Sequence, residues 1–127
     1  MEMTKNAISW FEIPVSDFDR AKDFYQKIFD FEMPEMEIGP LRMGIFLHER
    51  DKGIGGAICK GDGYTPAGAN GPKVYLNGGT DLDIVLNRVD TAGGKVLMDK
   101  TNIGEDYGNI GLFADTEGNV VGIYSGT

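Results

Sequence analysis

The 127-residue sequence is poor in the residues that most often carry chemistry, with one cysteine, one histidine and one tryptophan. A single cysteine cannot form an internal disulfide, and it gives no reason to place the chain in an oxidising compartment. Positive charge is also scarce, because 12 Lys and Arg residues stand against 20 Asp and Glu, for a formal net charge of −8. A field of that sign repels nucleic acids and anionic lipids, so neither is expected as a partner.

Long hydrophobic runs are missing as well. No apolar run approaches the ~20 residues that a membrane span requires. The first residues, MEMTKNAIS, lack the apolar stretch of a signal peptide. We therefore expect a soluble cytoplasmic protein, and the length suits one domain with a core of its own.

The segment FEIPVSDFDRAKDFYQKIF predicts a strand followed by an amphipathic helix. Apolar residues alternate at positions 11, 13 and 15, which is the period of a strand with two different faces. Ser16 is expected to cap the helix, with Asp19 three residues later. The helix then carries one apolar stripe, formed by Ala21, Phe24, Tyr25 and Ile28. Three strands are predicted to follow, at residues 32–38, 42–48 and 54–60.

The pattern recurs after the loop GDGYTPAGANGP, residues 61–72. Residues 73–77 predict a strand, and Gly93-Gly94 is expected to end the helix that follows. That helix begins at Asp81, and its apolar stripe consists of Leu82, Val85, Leu86 and Val89. Strands at 95–100, 109–114 and 119–124 complete the set.

The repeated order predicts two tandem βαβββ modules, one in residues 1–60 and one in residues 73–127, joined by the loop 61–72. A module of that size would be marginally stable alone, so we expect one α+β domain over residues 1–127. Its curved mixed sheet would surround a cleft, with the helices on the outer face.

Three stretches resemble the vicinal oxygen chelate superfamily, which includes glyoxalases, bleomycin resistance proteins and extradiol dioxygenases. They are IPVSDFDRAKDFYQKIFDFEM, DLDIVLNRVDTAGGKVL and ADTEGNVVGIY, and the last is similar to the family's D-x-x-G-N turn before the final strand. The resemblance covers nearly the whole chain and implies the fold. It leaves the function open, because the superfamily includes isomerases, lyases, dioxygenases and proteins that only bind ligands.

The resemblance also implies where a metal would be bound. In the metal-dependent members, four cleft-facing positions supply His and Glu ligands. They map onto Trp10, Gly55 or Gly56, Lys73 (with Val74 as the alternative) and Gly122. None of these residues is a usual ligand, and a catalytic divalent ion needs about three protein donors. We therefore expect neither a bound metal nor another cofactor.

Strand period instead predicts a cleft of aromatic and polar side chains, because Glu12 shares the face of Trp10. The six residues predicted to bind a ligand are Trp10, Glu12, Lys73, Tyr75, Asn77 and Tyr124. Apolar walls with a few polar groups are typical of a small-molecule site.

Several residues have two interpretations. Glu12 is the best candidate for a catalytic base, although a structural ion pair with Lys73 would equally explain a glutamate at this position of the strand. Trp10 could pack against the protein or stack on a planar or cationic ligand. His48 is expected at the surface near a turn, and Cys59 as a buried, inert thiol. The loop 61–72 could be a lid over the cleft or only a connector.

Three functions remain open. The first is a metal-independent binding protein of the glyoxalase/bleomycin-resistance type, with an aromatic or cationic ligand. The second is a lyase or isomerase related to lactoylglutathione lyase, with Glu12 as base, Lys73 as its partner and a metal recruited through His48. The third is an assembly module with a vestigial cleft. A homodimer is expected in all three.

Overall fold

A computed structural model describes all 127 residues, which form eight strands, two helices and the loops that connect them. The first module comprises β1 (Trp10–Pro14), α1 (Phe18–Phe29), β2 (Glu35–Ile38), β3 (Leu41–Ile45) and β4 (Gly55–Lys60). The second comprises β5 (Tyr75–Asn77), α2 (Asp83–Val89), β6 (Lys95–Asn102), β7 (Asn109–Ala114) and β8 (Val120–Ser125).

The strands form two four-stranded mixed sheets, one from each module. Sheet A has the strand order β1-β4-β3-β2 and sheet B the order β5-β8-β7-β6. In each sheet the module's first strand pairs in parallel with its last, and the other pairs are antiparallel. This shared order confirms the predicted α+β fold of two tandem βαβββ modules, with the curved sheet divided into two.

Helix α1 buries the predicted apolar stripe together with Phe18. Its N-cap is Asp17, whose carboxylate accepts a hydrogen bond from the Arg20 amide at 3.1 Å. The prediction that Ser16 caps the helix is wrong, because the Ser16 hydroxyl donates instead to Glu117 at 2.9 Å. The helix ends at Phe29, and its C-cap Asp30 adopts the left-handed conformation with φ of 53°. Asp tolerates this conformation better than most residues do.

Helix α2 begins two residues later than predicted, because the Asp81 carboxylate accepts from the Asp83 amide at 3.0 Å and forms a turn before the helix. Gly93, with φ of 106°, reverses the chain beyond it as expected. The strands β2 and β3 are shorter than predicted, since β2 starts at Glu35 and β3 ends at Ile45. With 12 and 7 residues, neither helix is long enough to cross a bilayer.

Both modules contribute to one apolar core of 18 buried residues. Tyr25 of α1 lies at its centre, with its ring 5.0 Å from that of Phe46 in the first module and 6.4 Å from that of Phe113 in the second. Neither module could bury these faces alone, so the core requires both.

The D-x-x-G-N turn, Asp115 to Asn119, joins the two modules through buried hydrogen bonds. The Tyr25 hydroxyl and the Asn119 side-chain amide donate to the Asp115 carboxylate, at 2.7 and 3.0 Å. The same Asn119 amide also donates to the carbonyl of Pro14 at 2.8 Å. Burial raises the pKa of Asp115 against the opposing effect of these bonds. The motif therefore has a structural role here.

Glu117 lies in the same turn, and it contacts the N-terminus of α1. Its carboxylate accepts from the Ser16 and Asp17 amides at 3.0 and 2.7 Å, and from Arg20 Nε at 2.9 Å. Burial alone would raise the pKa of Glu117, but the bonds from Arg20, Asp17, Thr116 and Ser16 outweigh it and lower the pKa to about 2. An anion at a helix N-terminus is also stabilised by the helix dipole.

Candidate functional site

The face of each sheet that carries no helix, here called the open face, displays the predicted site residues. On β1 the side chain of Ile13 is buried in the core, so the alternating Trp10 and Glu12 point to the open face of sheet A. On sheet B the buried Leu76 places Tyr75 and Asn77 on the corresponding open face.

Two aromatic residues occupy matching positions in the two sheets. Trp10 pairs across the parallel ladder with Gly55, and Tyr75 pairs in the same way with Gly122. Tyr75, rather than Lys73, is therefore the counterpart of Trp10, and the mapping of that position onto Lys73 was wrong. Lys73 lies two residues before β5, which begins at Tyr75.

Glu12 is the centre of a small polar cluster on sheet A. Its carboxylate accepts from the Tyr64 hydroxyl at 2.6 Å and from Trp10 Nε1 at 3.2 Å. The alternative ion pair with Lys73 is not formed, and no Lys, Arg or His nitrogen lies within 4.0 Å of the carboxylate. Glu12 thus has two neutral aromatic donors and no cationic partner.

The negative charge of Glu12 affects two neighbouring groups. The hydrogen bond to Glu12 is the main reason that the pKa of Tyr64 is raised to about 12. Burial, followed by the charge of Glu12, raises the pKa of the Cys59 thiol to about 12. Cys59 is fully buried, and a protonated thiol is a poor nucleophile, so it has the inert character that was expected.

The loop 61–72 contacts both modules. Tyr64 packs beside Met43, Ala57 and Cys59 on sheet A, and the Gly68 carbonyl accepts from the Val120 amide of β8 at 3.2 Å. A cavity of about 170 Å³ lies beneath the loop, between Glu12 and Val120. The loop is therefore a connector that also covers part of the open face.

His48 lies just before the turn at residues 50–52 and is partly exposed. Its ring is partly buried over Gly55, where an added methyl group would lie 2.6 Å from Cε1. Nδ1 lies 3.0 Å from the Phe46 carbonyl oxygen. Gly55 is the partner of Trp10, so the one imidazole of the chain lies beside the aromatic face.

The residues present do not fit a catalytic divalent ion. The four mapped positions hold an indole, a phenol and two glycines, and none of these is a usual ligand. No group of three His, Cys, Asp or Glu side chains lies close enough to hold an ion. His48 supplies one donor at most, and Glu12 is already engaged by Tyr64 and Trp10.

The six predicted residues separate into two groups. Trp10 and Glu12 lie together on sheet A. Lys73, Tyr75 and Asn77 line a different cavity, between the two sheets. Tyr124 belongs to this second group, because it pairs with Asn77 on the neighbouring strand β8, and its hydroxyl oxygen would lie 2.8 Å from a methyl group on Gly108.

The sequence did not predict that Tyr64 would be a hydrogen-bond donor to Glu12. Tyr64 is 52 residues away along the chain and lies in a glycine-rich loop, so no local pattern indicates the contact. The phenylalanines of the cavity between the sheets were likewise missed, since a strand or helix pattern marks them only as core residues.

Two tandem βαβββ modules, each with an aromatic side chain on the open face of its sheet, define a small α+β domain. The family model of the Glyoxalase/Bleomycin resistance protein/Dioxygenase superfamily matches residues 7–123. The chain therefore belongs to this superfamily, and the resemblance seen in the sequence is confirmed.

Individual proteins are similar over most of the chain. A glyoxylase-like domain-containing protein from Didymella fabae is 32% identical over 116 residues, which cover 88% of each chain. The antibiotic binding protein TnmS3 from Streptomyces sp. CB03234 is 22% identical, with a TM-score of 0.68 and coverage of 99% of this chain and 100% of that one. A glyoxalase I mutant from Zea mays is 21% identical, with a TM-score of 0.68 over 92% of this chain, which spans 45% of the maize chain.

Proposed function

We propose that this protein binds a small aromatic cation on the open face of sheet A, without a metal and without turning it over. The observation that carries the proposal is the Glu12 carboxylate, which is held by Tyr64 and Trp10 and has no cationic partner. A bound cation would supply that partner, and the indole and phenol rings attract cations through their π-electrons.

The aromatic face is accessible to a ligand. Trp10 keeps 40% of its surface exposed and so does not fill the site itself, and Tyr124, 39% exposed on sheet B, leaves its own open face accessible as well. This supports a binding role over a vestigial cleft. The similar fold of TnmS3, an antibiotic binding protein, supports binding as well.

The test uses two probes of the same shape, the cation 1-methylquinolinium and the neutral quinoline at pH 7.5. Trp10 is the only tryptophan, so its fluorescence reports on this face alone, with calorimetry as the second measurement. We expect the cation to bind more tightly, and Glu12→Gln to weaken it about tenfold. Glu37→Gln, at an exposed position of β2, makes the same charge change and should leave the affinity unaltered.

Equal affinity for both probes, or an unchanged affinity in Glu12→Gln, would remove the proposed site. Chemical change of a small oxygenated metabolite, dependent on Glu12, would instead favour the lyase or isomerase alternative.

We also propose that the protein is a homodimer. The edge strand β2 of sheet A exposes two large apolar side chains, Met36 at 50% and Ile38 at 59%. Exposed edges of this kind are suited to pairing with another chain. Light scattering should give twice the chain mass, and Ile38→Lys should lower it; a monomer at all concentrations would contradict the proposal.

A further inference from the structure

A second cavity, here called the seam cavity, lies between β1 of sheet A and β5 of sheet B. Its volume is about 480 Å³, which is within the range of small-molecule sites. None of Trp10, Glu12 and Tyr64 lines it. The seam cavity is therefore distinct from the site proposed for the cation.

The walls of the seam cavity are aromatic. Phe29 ends α1, and the left-handed turn at Asp30 allows Phe31 to reach the same wall. The Phe46 ring lies 5.5 Å from that of Phe11 and 6.4 Å from that of Phe29, so these rings form one continuous surface. Contacts between aromatic rings add to the stabilisation from simple area burial, which favours a ligand with a ring over an aliphatic chain.

The polar side chains that line the seam cavity, those of Lys73, Tyr75 and Asn77, are all exposed to solvent, and this solvent-facing side is here called its mouth. Lys73 is the only lining residue with a formal charge; it is exposed, and no carboxylate lies within 4.0 Å of its ammonium group. The Asn77 side-chain oxygen accepts from the Gly79 amide at 2.9 Å, which leaves its NH₂ group free to donate. An ammonium and an amide NH₂ are both donors, so the mouth is suited to an anionic acceptor.

We infer that the seam cavity binds an aromatic monocarboxylate. Its ring would pack among the phenylalanines, and its carboxylate would accept from Lys73 and Asn77. The charge preference is opposite to that of the Glu12 site, so the two sites select different ligands.

The inference is tested with three probes that share one apolar body: 4-phenylbutyrate, 4-phenylbutanol and 4-phenylbutylamine. Calorimetry at pH 7.5, in the Glu12→Gln background so that the amine is not held at the Glu12 site, should give the order carboxylate, alcohol, amine from tightest to weakest. We expect the affinity for the carboxylate to exceed the affinity for the amine by about fivefold, because interactions with an exposed charge such as that of Lys73 are weak. Octanoate, which has the same charge but no ring, should bind less tightly than 4-phenylbutyrate.

Two variants locate the site. Lys73→Met should abolish the difference between carboxylate and amine, while Lys95→Met, at an exposed lysine without an ion pair, should retain it. Ile8→Trp fills the mouth from a half-exposed position and should weaken all three probes. An order that survives Lys73→Met, or affinities that Ile8→Trp leaves unchanged in a folded protein, would overturn the inference.

Discussion

The Glu117 carboxylate accepts a hydrogen bond of 2.7 Å from the backbone amide of Asp17, 100 residues earlier in the chain. The turn before the last strand thereby supplies part of the cap of the first helix. This contact joins the two modules at the end of the shared core, and it leads to the first prediction.

Glu117 should make the fold sensitive to acid. Its pKa is lowered to about 2 in the folded chain, whereas an unfolded glutamate titrates near 4.3. The stabilisation from its charged form is therefore complete above about pH 4.3, and it is lost as the pH falls towards 2. We expect Glu117→Gln to cost on the order of 2 kcal/mol at pH 7 and less at pH 3.

Urea unfolding at several pH values measures this effect. Glu105→Gln, in an exposed loop, is the matched control and should show no such change with pH. A constant difference between Glu117→Gln and the natural sequence from pH 7 to pH 3 would contradict the assigned pKa.

A glycine should be required at position 55 for full stability, because the His48 ring occupies the space that a side chain would need. A methyl group there would lie 2.6 Å from the imidazole, so the ring would have to move out of its partly buried position. We expect Gly55→Ala to destabilise the protein by about 1–2 kcal/mol. In a His48→Ala background the same change should be nearly neutral, and a double-mutant cycle measures the coupling. Equal costs in both backgrounds would show that another contact excludes the side chain.

The protein should not retain a divalent metal ion. After incubation with Ni, Zn, Mn or Fe(II) and dialysis, mass spectrometry should find far less than one ion per chain, because no three donors converge. The chain should be purified without a histidine tag. One tightly held ion would show that ligands exist elsewhere than at the mapped positions, and it would make the lyase or isomerase function the leading one. Loss of that ion in His48→Ala would then identify the first ligand.

Local pattern predicted most of the architecture correctly. The stripe Ala21, Phe24, Tyr25 and Ile28 is buried as expected, because helical period alone decides which side of α1 can face a core. The repeat of strand and helix signals likewise predicted two modules. The errors lie at element ends, where one side chain decides the outcome: Asp17 caps α1 because Ser16 is bound to Glu117.

The candidate site was predicted only in part, for a different reason. Strand alternation placed Trp10 and Glu12 on one face, because side-chain direction follows from sequence position within a strand. Lys73 was wrongly predicted to be the residue of the second module equivalent to Trp10. Which residue is equivalent depends on where β5 begins and how it pairs with β8, and the equivalent residue is Tyr75. Nothing local to Glu12 indicates that Tyr64 is its hydrogen-bond donor.

The sequence by itself therefore determined the class of fold and the helix-facing sides of the strands, both of which follow from residue type and period. Only the tertiary structure decided that Glu12 meets Tyr64 instead of Lys73, that His48 covers Gly55, and that Lys73 stands at the mouth of an aromatic cavity. These contacts join residues distant in the chain, and their geometry is set by how the two modules pack around one core, which no local pattern encodes.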